Sequence, residues 1–241
     1  KILSWLSPVL FEARQRQLQE LHEAGTGSWL PDHATFERWK SEKGSRLWCS
    51  GIPGAGKTFM ASLVIKTLQH SDIPVVFIFA DYKDHSMHTS LDLLSSITRQ
   101  LAMHCPAVID LVYPKYENQL AHSTAEDNAA TRLHRLYVVI DALDEIPSTE
   151  ESRGSDVRTE LMSALVQLDY VSIFCTTRPH IDSSLYFQSP LQLHIEAKDS
   201  DLRLFLEARM SSASRLSRIL SKDRYLKEDI ITTITKKASG M

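Results

Sequence analysis

Eight residues, Gly51-Ile52-Pro53-Gly54-Ala55-Gly56-Lys57-Thr58, constrain this chain more than any other stretch. They fill the pattern GxxxxGK[ST] directly after the apolar run Leu47-Trp48-Cys49. The pattern requires a buried strand before the loop and a helix after it. Met60, Leu63, Val64 and Leu68 recur at helical spacing on the downstream side. Glycine at 51, 54 and 56 admits backbone angles that a Cβ forbids, so successive N–H groups can turn inward around phosphate oxygens. Lys57 then supplies a point charge for the β- and γ-phosphates, the Thr58 hydroxyl a ligand for Mg²⁺, and the helix opening at Lys57 its positive dipole end. The whole loop, Pro53 and Ala55 included, is expected to cradle a nucleoside triphosphate. The alternative, a glycine-rich turn ahead of a core helix, leaves the flanking strand and helix unexplained.

Five strands are expected, at Arg46 to Ser50, Pro74 to Ala80, Leu136 to Ile140, Val171 to Cys175 and Leu191 to Ile195. Four are short continuous apolar runs, as in parallel strands buried on both faces, whereas Leu191 to Ile195 alternates like an edge strand. Helical stripes lie between them: Leu91, Leu94, Ile97 and Leu101, then Val157, Leu161, Leu165 and Leu168. Strand alternating with helix predicts an α/β fold with a parallel sheet covered on both sides. Before the first strand, Pro8 to Glu23 carries a Leu10, Leu18, Leu21 stripe, and Gly25-Thr26-Gly27 signals a turn. Phe36 and Trp39 share one face of a covering helix. Beyond Ala197 only helical spacing remains, at Asp199 to Met210 and Glu228 to Ala238, with Gly240 as a cap. Glu117 to Thr131 is the least patterned stretch. The expected division is a helical lead at residues 1–44, a nucleotide-binding domain at 45–196 and the start of a helical domain at 197–241.

The 241 residues are 43% hydrophobic and 24% charged, with net charge −3. That balance lacks the basic footprint of a nucleic-acid binder. No apolar run approaches the roughly 20 residues that cross a bilayer. Cys49, Cys105 and Cys175 have no CxxC spacing and read as reduced thiols of a cytoplasmic protein. The first residue is Lys1 and the last follow a helical pattern, so the chain reads as a piece of something longer.

Two further segments complete a phosphate site. Leu136 to Ile140 runs into Asp141, placed to hold Mg²⁺, followed by Ala142-Leu143-Asp144-Glu145. Asp144 or Glu145 is within reach to orient an attacking water. Phe174 and Cys175 run into Thr176-Thr177-Arg178-Pro179, and Pro179 stops simple continuation, fixing Arg178 at the carboxyl edge of the sheet, where ligands lie. There it either senses the γ-phosphate or pairs with a nearby acid.

Gly51 to Thr58, Asp141 to Glu145 and Thr176 to Pro179 resemble the Walker A, Walker B and sensor 1 motifs of NACHT domains, which are STAND-class P-loop NTPases related to AAA+ proteins. The stretch from Gly25 to Leu30 with Phe36 and Trp39, and the closing Lys237 to Met241, is similar to fungal NLR-like receptors with ankyrin or WD repeats. The resemblance implies a sheet in the order 2-3-4-1-5, and a switch closed with ADP and opened by ATP. It also implies homo-oligomerisation on activation in a defence or cell-death response. It favours ATP, although base contacts are not written in the motifs and GTP stays open. Ala142 stands where AAA+ machines carry a glutamate base, which implies slow turnover. Gly27 is a candidate adenine contact, since the segment before the P-loop lies there in relatives, and a structural turn explains it equally well. Leu120 to His134 is shorter than the family pattern.

Asp81, Asp84, His85 and His88 cluster after the second strand, and a loop at the sheet rim accounts for them better than a metal site. No GxSxG or Cys/His nucleophile pattern appears. The competing functions are an efficient NTPase or kinase using Asp144 or Glu145 as base, and a scaffold that binds no nucleotide.

Overall fold

The computed structural model describes residues 1–83, 89–121, 134–148, 156–220 and 223–238. Helices α1 (Ile2–Leu6), α2 (Phe11–Leu21) and α3 (Ala34–Ser41) lead into β1 (Arg46–Ser50). There follow α4 (Lys57–Leu68), β2 (Val75–Phe79), α5 (Ser90–His104), α6 (Pro106–Ala121), β3 (Leu136–Asp141), α7 (Val157–Val166), β4 (Val171–Thr177) and β5 (Leu191–His194). Helices α8 (Asp199–Ser212), α9 (Ser214–Leu220) and α10 (Arg224–Ala238) close the chain. All five strands pair in parallel in the order β2-β3-β4-β1-β5. That is the sheet of a P-loop NTPase, as expected, with β4 between β1 and β3.

The helices that flank the site start at identifiable residues. Thr89 and Asp92 form a reciprocal capping box that opens α5. The Asp156 carboxylate accepts the Thr159 N–H at 3.0 Å to open α7. Helix α4 has no side-chain cap. Its N-cap is Gly56 at φ +87°, in the left-handed region, so the cap site is open backbone.

Strands β2, β3 and β4 are buried along their whole length, and β5, half exposed, is one edge. The other edge, β2, is covered by a side chain. Gln100 of α5 accepts the Phe77 N–H at 3.0 Å and donates to the Phe77 carbonyl at 2.8 Å, imitating one rung of a neighbouring strand. Of the expected α5 stripe, Ile97 is buried and Leu94 and Leu101 pack against the core, but the buried side also carries polar residues. Leu91 is 69% exposed, while Ser96, Arg99 and Gln100 are buried. Arg99 turns inward because it meets Glu12 of α2 at 2.6 Å. In α2 the buried positions are Phe11, Gln15 and Leu18, so of the expected leucine stripe only Leu18 is core, and Leu10 and Leu21 are exposed. Gln15 donates to the Ser62 carbonyl of α4 at 3.0 Å. The unpatterned stretch from Glu117 is helical as far as Ala121. Residues 122–133 lie outside the described residues, as do Asp84, His85, His88 and Gly240.

Trp39 fastens α3 to the sheet. It is fully buried, its ring lies 5.3 Å from Tyr137 and 5.7 Å from Phe174, and its indole N–H donates to the Ile173 carbonyl at 3.0 Å. Trp48 packs with Tyr186 and Phe187. Trp39→Ala removes both a large buried volume and the partner of a buried carbonyl. It is expected to lower the unfolding free energy by about 3–5 kcal/mol in denaturant titration; a loss under about 1 kcal/mol contradicts this account of how α3 is held.

Candidate nucleotide-binding site

Parallel strands all end on one side, so β1, β3 and β4 deliver the P-loop, Asp141 and Arg178 to the same edge. Gly54, Lys57, Thr58, Asp141, Glu145 and Arg178 line one cleft of about 580 Å³, together with Pro53, Gly56 and Asp144. The three sequence segments therefore converge. Gly54 adopts φ +83° with nothing within 4 Å of where a Cβ would sit, so backbone angle and not crowding demands glycine there. At Gly51 the reason is crowding, since a Cβ would stand 2.3 Å from the Ile195 carbonyl oxygen. The first amides of α4 lie outside the helical hydrogen-bond ladder and carry the positive end of its dipole. Lys57 folds over the loop, donating to the carbonyls of Gly51 at 2.7 Å and Ile52 at 2.9 Å. Burial holds its ammonium below the ordinary lysine value, and the charges of Asp144 and Asp141 oppose that pull.

Asp141 is 3% exposed. Burial pushes its carboxyl above the ordinary carboxylate value, against hydrogen bonds from Thr176 and Thr58 and the charge of Lys57. The Thr176 hydroxyl donates to Asp141 Oδ1 at 2.6 Å and accepts the Ala142 N–H at 2.9 Å. Ala142 sits at φ +56°, a turn that swings the chain out of β3 into a short 3₁₀ helix, Leu143–Glu145. The Thr58 hydroxyl and Asp141 carboxylate line the same cleft, and both are hard oxygen donors of the kind Mg²⁺ takes alongside phosphate oxygens. Among the described residues no three His, Cys, Asp or Glu side chains gather into a metal cluster. One or two protein ligands are what a phosphate-bound Mg²⁺ uses.

Arg178 faces the same cleft, and there it pairs with nearby acids, one of the two roles open to it in the sequence. Its Nε lies 3.0 Å from Asp144 Oδ2 and its Nη2 3.5 Å from Glu145 Oε1. Its main-chain N–H donates to Asp144 Oδ1 at 3.1 Å. Both oxygens of Asp144 are thus engaged, whereas Glu145 is more open. Sequence reasoning missed the group that holds this turn in place. Arg158 of α7, 6% exposed, donates to the carbonyls of Asp144 at 2.9 Å and Ile146 at 2.7 Å. It stands in no motif, and only a charged residue on a buried helix face hinted at it. The role of Thr176 was legible in principle as a polar residue ending an apolar strand beside Asp141.

Beside the P-loop a second cavity of about 220 Å³ is lined by Leu21, His22, Thr26, Ala55, Phe59 and Phe205, among others. Its lining is mostly apolar, which suits a planar base. Gly27 does not line it. The Gly27 N–H donates to Asp201 of α8 at 3.0 Å, and a Cβ there would meet Met60 Cε at 2.7 Å. Thr26, its neighbour, is the residue that faces the cavity.

Residues 25–178 match the family described as Nephrocystin 3, N-terminal. Among solved structures, a DNA replication initiation factor is 13% identical with a TM-score of 0.43, covering 88% of this chain and 62% of that one. The replication initiator DnaA bound to AMPPCP and single-stranded DNA is 12% identical with a TM-score of 0.42, covering 92% and 65%. PCH-2 of C. elegans is 14% identical with a TM-score of 0.37, covering 85% and 47%. The chain spans less than two thirds of the length of each. No curated protein sequence matches it significantly. Sheet order and loop geometry, and not these distant likenesses, carry the fold assignment.

The raised Asp141 carboxyl has a consequence for stability. Its folded form takes up a proton more readily than the unfolded chain. It therefore costs stability as pH rises through the window from the ordinary value of 3.8 up to the raised one. Asp141→Asn relieves this cost. The variant is expected to melt higher than the unsubstituted protein at pH 7 without nucleotide, by roughly 2–4 °C per kcal/mol recovered, and the gap should close as pH falls toward 4. A lower melting temperature at pH 7 means that Thr58, Thr176 and Lys57 more than offset the burial.

Proposed function

The chain belongs to the Nephrocystin 3, N-terminal family, and from that premise we propose that it is a Mg²⁺-dependent, ATP-binding regulatory switch of the NACHT type, cytoplasmic, with slow hydrolysis. The observation that carries the reading is the cleft shared by Gly54, Lys57, Thr58, Asp141 and Arg178. In this reading residues 45–196 form the nucleotide-binding body, with 1–44 a helical lead and 197–241 the start of a helical unit. ATP is favoured over GTP by the NACHT resemblance. Oligomerisation of the whole protein on activation belongs to the same proposal.

Lys57 and the amides around Gly54 bind the phosphates, and Thr58 and Asp141 hold Mg²⁺, which when bound offsets charge on the terminal phosphates. Arg178 reads the γ-phosphate. Slow turnover follows from the neighbouring side chains. Ala142 occupies the place after the metal aspartate and carries no base. Asp144 spends both oxygens on Arg178, which leaves Glu145 to orient water, itself 3.5 Å from the same guanidinium. An engaged carboxylate is a poor base until Arg178 turns toward phosphate.

Calorimetric titration with Mg²⁺ and a non-hydrolysable ATP analogue tests the reading. Lys57→Ala is expected to weaken binding at least tenfold, and equal binding by both proteins discredits the P-loop assignment. Wild-type turnover is expected well below about 1 per second. Sustained hydrolysis at or above that rate favours the efficient NTPase or kinase. Glu145→Gln should lower the residual rate about 100-fold or more; if Asp144→Asn does so and Glu145→Gln does not, the assignment of the water-orienting group is reversed.

A further inference from the structure

Helix α2 runs alongside the whole site. Arg14, Leu18 and Leu21, spaced four and three apart and so on one helical face, all line the 580 Å³ cleft. The two ends of this face meet different parts of it. Leu21 also borders the 220 Å³ cavity, which shares Gly54, Gly56 and Phe59 with the cleft but neither Thr58 nor Asp141. Arg14 instead borders a third cavity, of about 710 Å³, which shares Thr58, Asp141, Ala142 and Glu145 with the cleft and no P-loop glycine. Arg14 thus lies at the metal and terminal-phosphate end, and Leu21 at the base end, about 10 Å along the helix axis.

The helix is held independently of Arg14. Phe11 and Leu18 are buried, Gln15 bonds to the Ser62 carbonyl, and Glu12 pairs with Arg99. Arg14 is exposed, and its hydrogen-bond partner among the described residues is the Gln17 amide oxygen, at 2.6 Å. Arg178, by contrast, is engaged by two carboxylates. The charges lining the cleft balance, Arg14, Lys57 and Arg178 against Asp141, Asp144 and Glu145. Without Arg14 the balance is one negative, and a polyanion enters against it.

Resting on the nucleotide reading above, we propose that Arg14 is a second reader of the terminal phosphate, supplied in cis by α2, so that triphosphate draws α2 onto the site and diphosphate does not. A guanidinium is suited to this, since its planar donors match a phosphate face and its Gln17 partner is neutral and easily exchanged. The terminal phosphate is thereby coupled to the N-terminal helices, which Arg99 and Ser62 tie to α5 and α4.

The test compares the whole chain with Arg14→Ala and Arg14→Lys, each titrated with the non-hydrolysable ATP analogue and with ADP in Mg²⁺, with Lys57→Ala as control. Arg14→Ala is expected to weaken the triphosphate analogue about tenfold and ADP less than twofold, with Arg14→Lys between. The melting temperature without nucleotide should be unchanged, because the side chain supports no packing. In hydrogen exchange, the triphosphate analogue should protect the α2 amides more than ADP does, and Arg14→Ala should abolish the difference. Equal loss for both nucleotides, or wild-type affinity for both, overturns the role of Arg14 while leaving the nucleotide reading intact. Failure of the unsubstituted chain to bind either nucleotide overturns both.

Discussion

A buried carboxylate organises this molecule. Asp141 ends a strand at 3% exposure, where an isolated charge is costly, and Thr176, Thr58 and Lys57 beside it offset part of that cost. The Thr176 hydroxyl reaches it from β4 and Thr58 from α4, and Lys57 supplies the opposite charge. These partners are available because β4 is inserted between β1 and β3. With β3 directly beside β1, the P-loop and Asp141 would be neighbours with no strand between them to supply Thr176. The strand order is therefore part of the site's electrostatics as well as its shape.

From this point the turn after β3 is determined. Thr176 uses its second hydrogen-bonding capacity on the Ala142 N–H, which helps hold Ala142 in the left-handed region. An alanine at φ +56° is strained, and such strain persists only where its surroundings demand it. Arg158 supplies the rest, gripping the carbonyls of Asp144 and Ile146 from beneath. The 3₁₀ helix that results aims Asp144 at Arg178. A chain without the turn would continue β3 outward, and its acids would point to solvent away from the phosphate loop.

How much of this was readable in the sequence varies with the kind of interaction. Strands buried on both faces leave an unbroken apolar run, so β1 to β4 and the edge character of β5 were legible to within a residue or two. The P-loop was legible because its backbone angles admit few residue types. Helix α5 was legible at Leu94, Ile97 and Leu101, which pack on the core, but not in the polar part of its buried face. Gln100 is there to complete the Phe77 backbone and Arg99 to meet Glu12, and no hydrophobic periodicity encodes such pairings. Leu91, which fits the periodicity, is left exposed. Arg158 and Arg14 were invisible for a related reason: each acts on a segment distant in sequence, and its neighbours carry no motif.

The cavity beside the P-loop bears on the boundaries expected near residues 44 and 197 from the strand and helix pattern. It is closed by three segments: the turn after α2, the start of α4 and the start of α8. The Gly27 N–H is bound to Asp201, and the Lys198 ammonium lies 4.1 Å over the Trp29 ring. Residues before 44 and after 197 are thus joined across the nucleotide body. Gly27 is held to its left-handed angle with Met60 pressed against it, so the turn has little freedom to adjust alone. The Gly27–Asp201 bond joins that turn to α8, and Leu21 joins α2 to the same cavity. Both contacts meet at the cavity, so the first 30 residues touch both the cleft that Arg14 lines and the helical C-terminal segment.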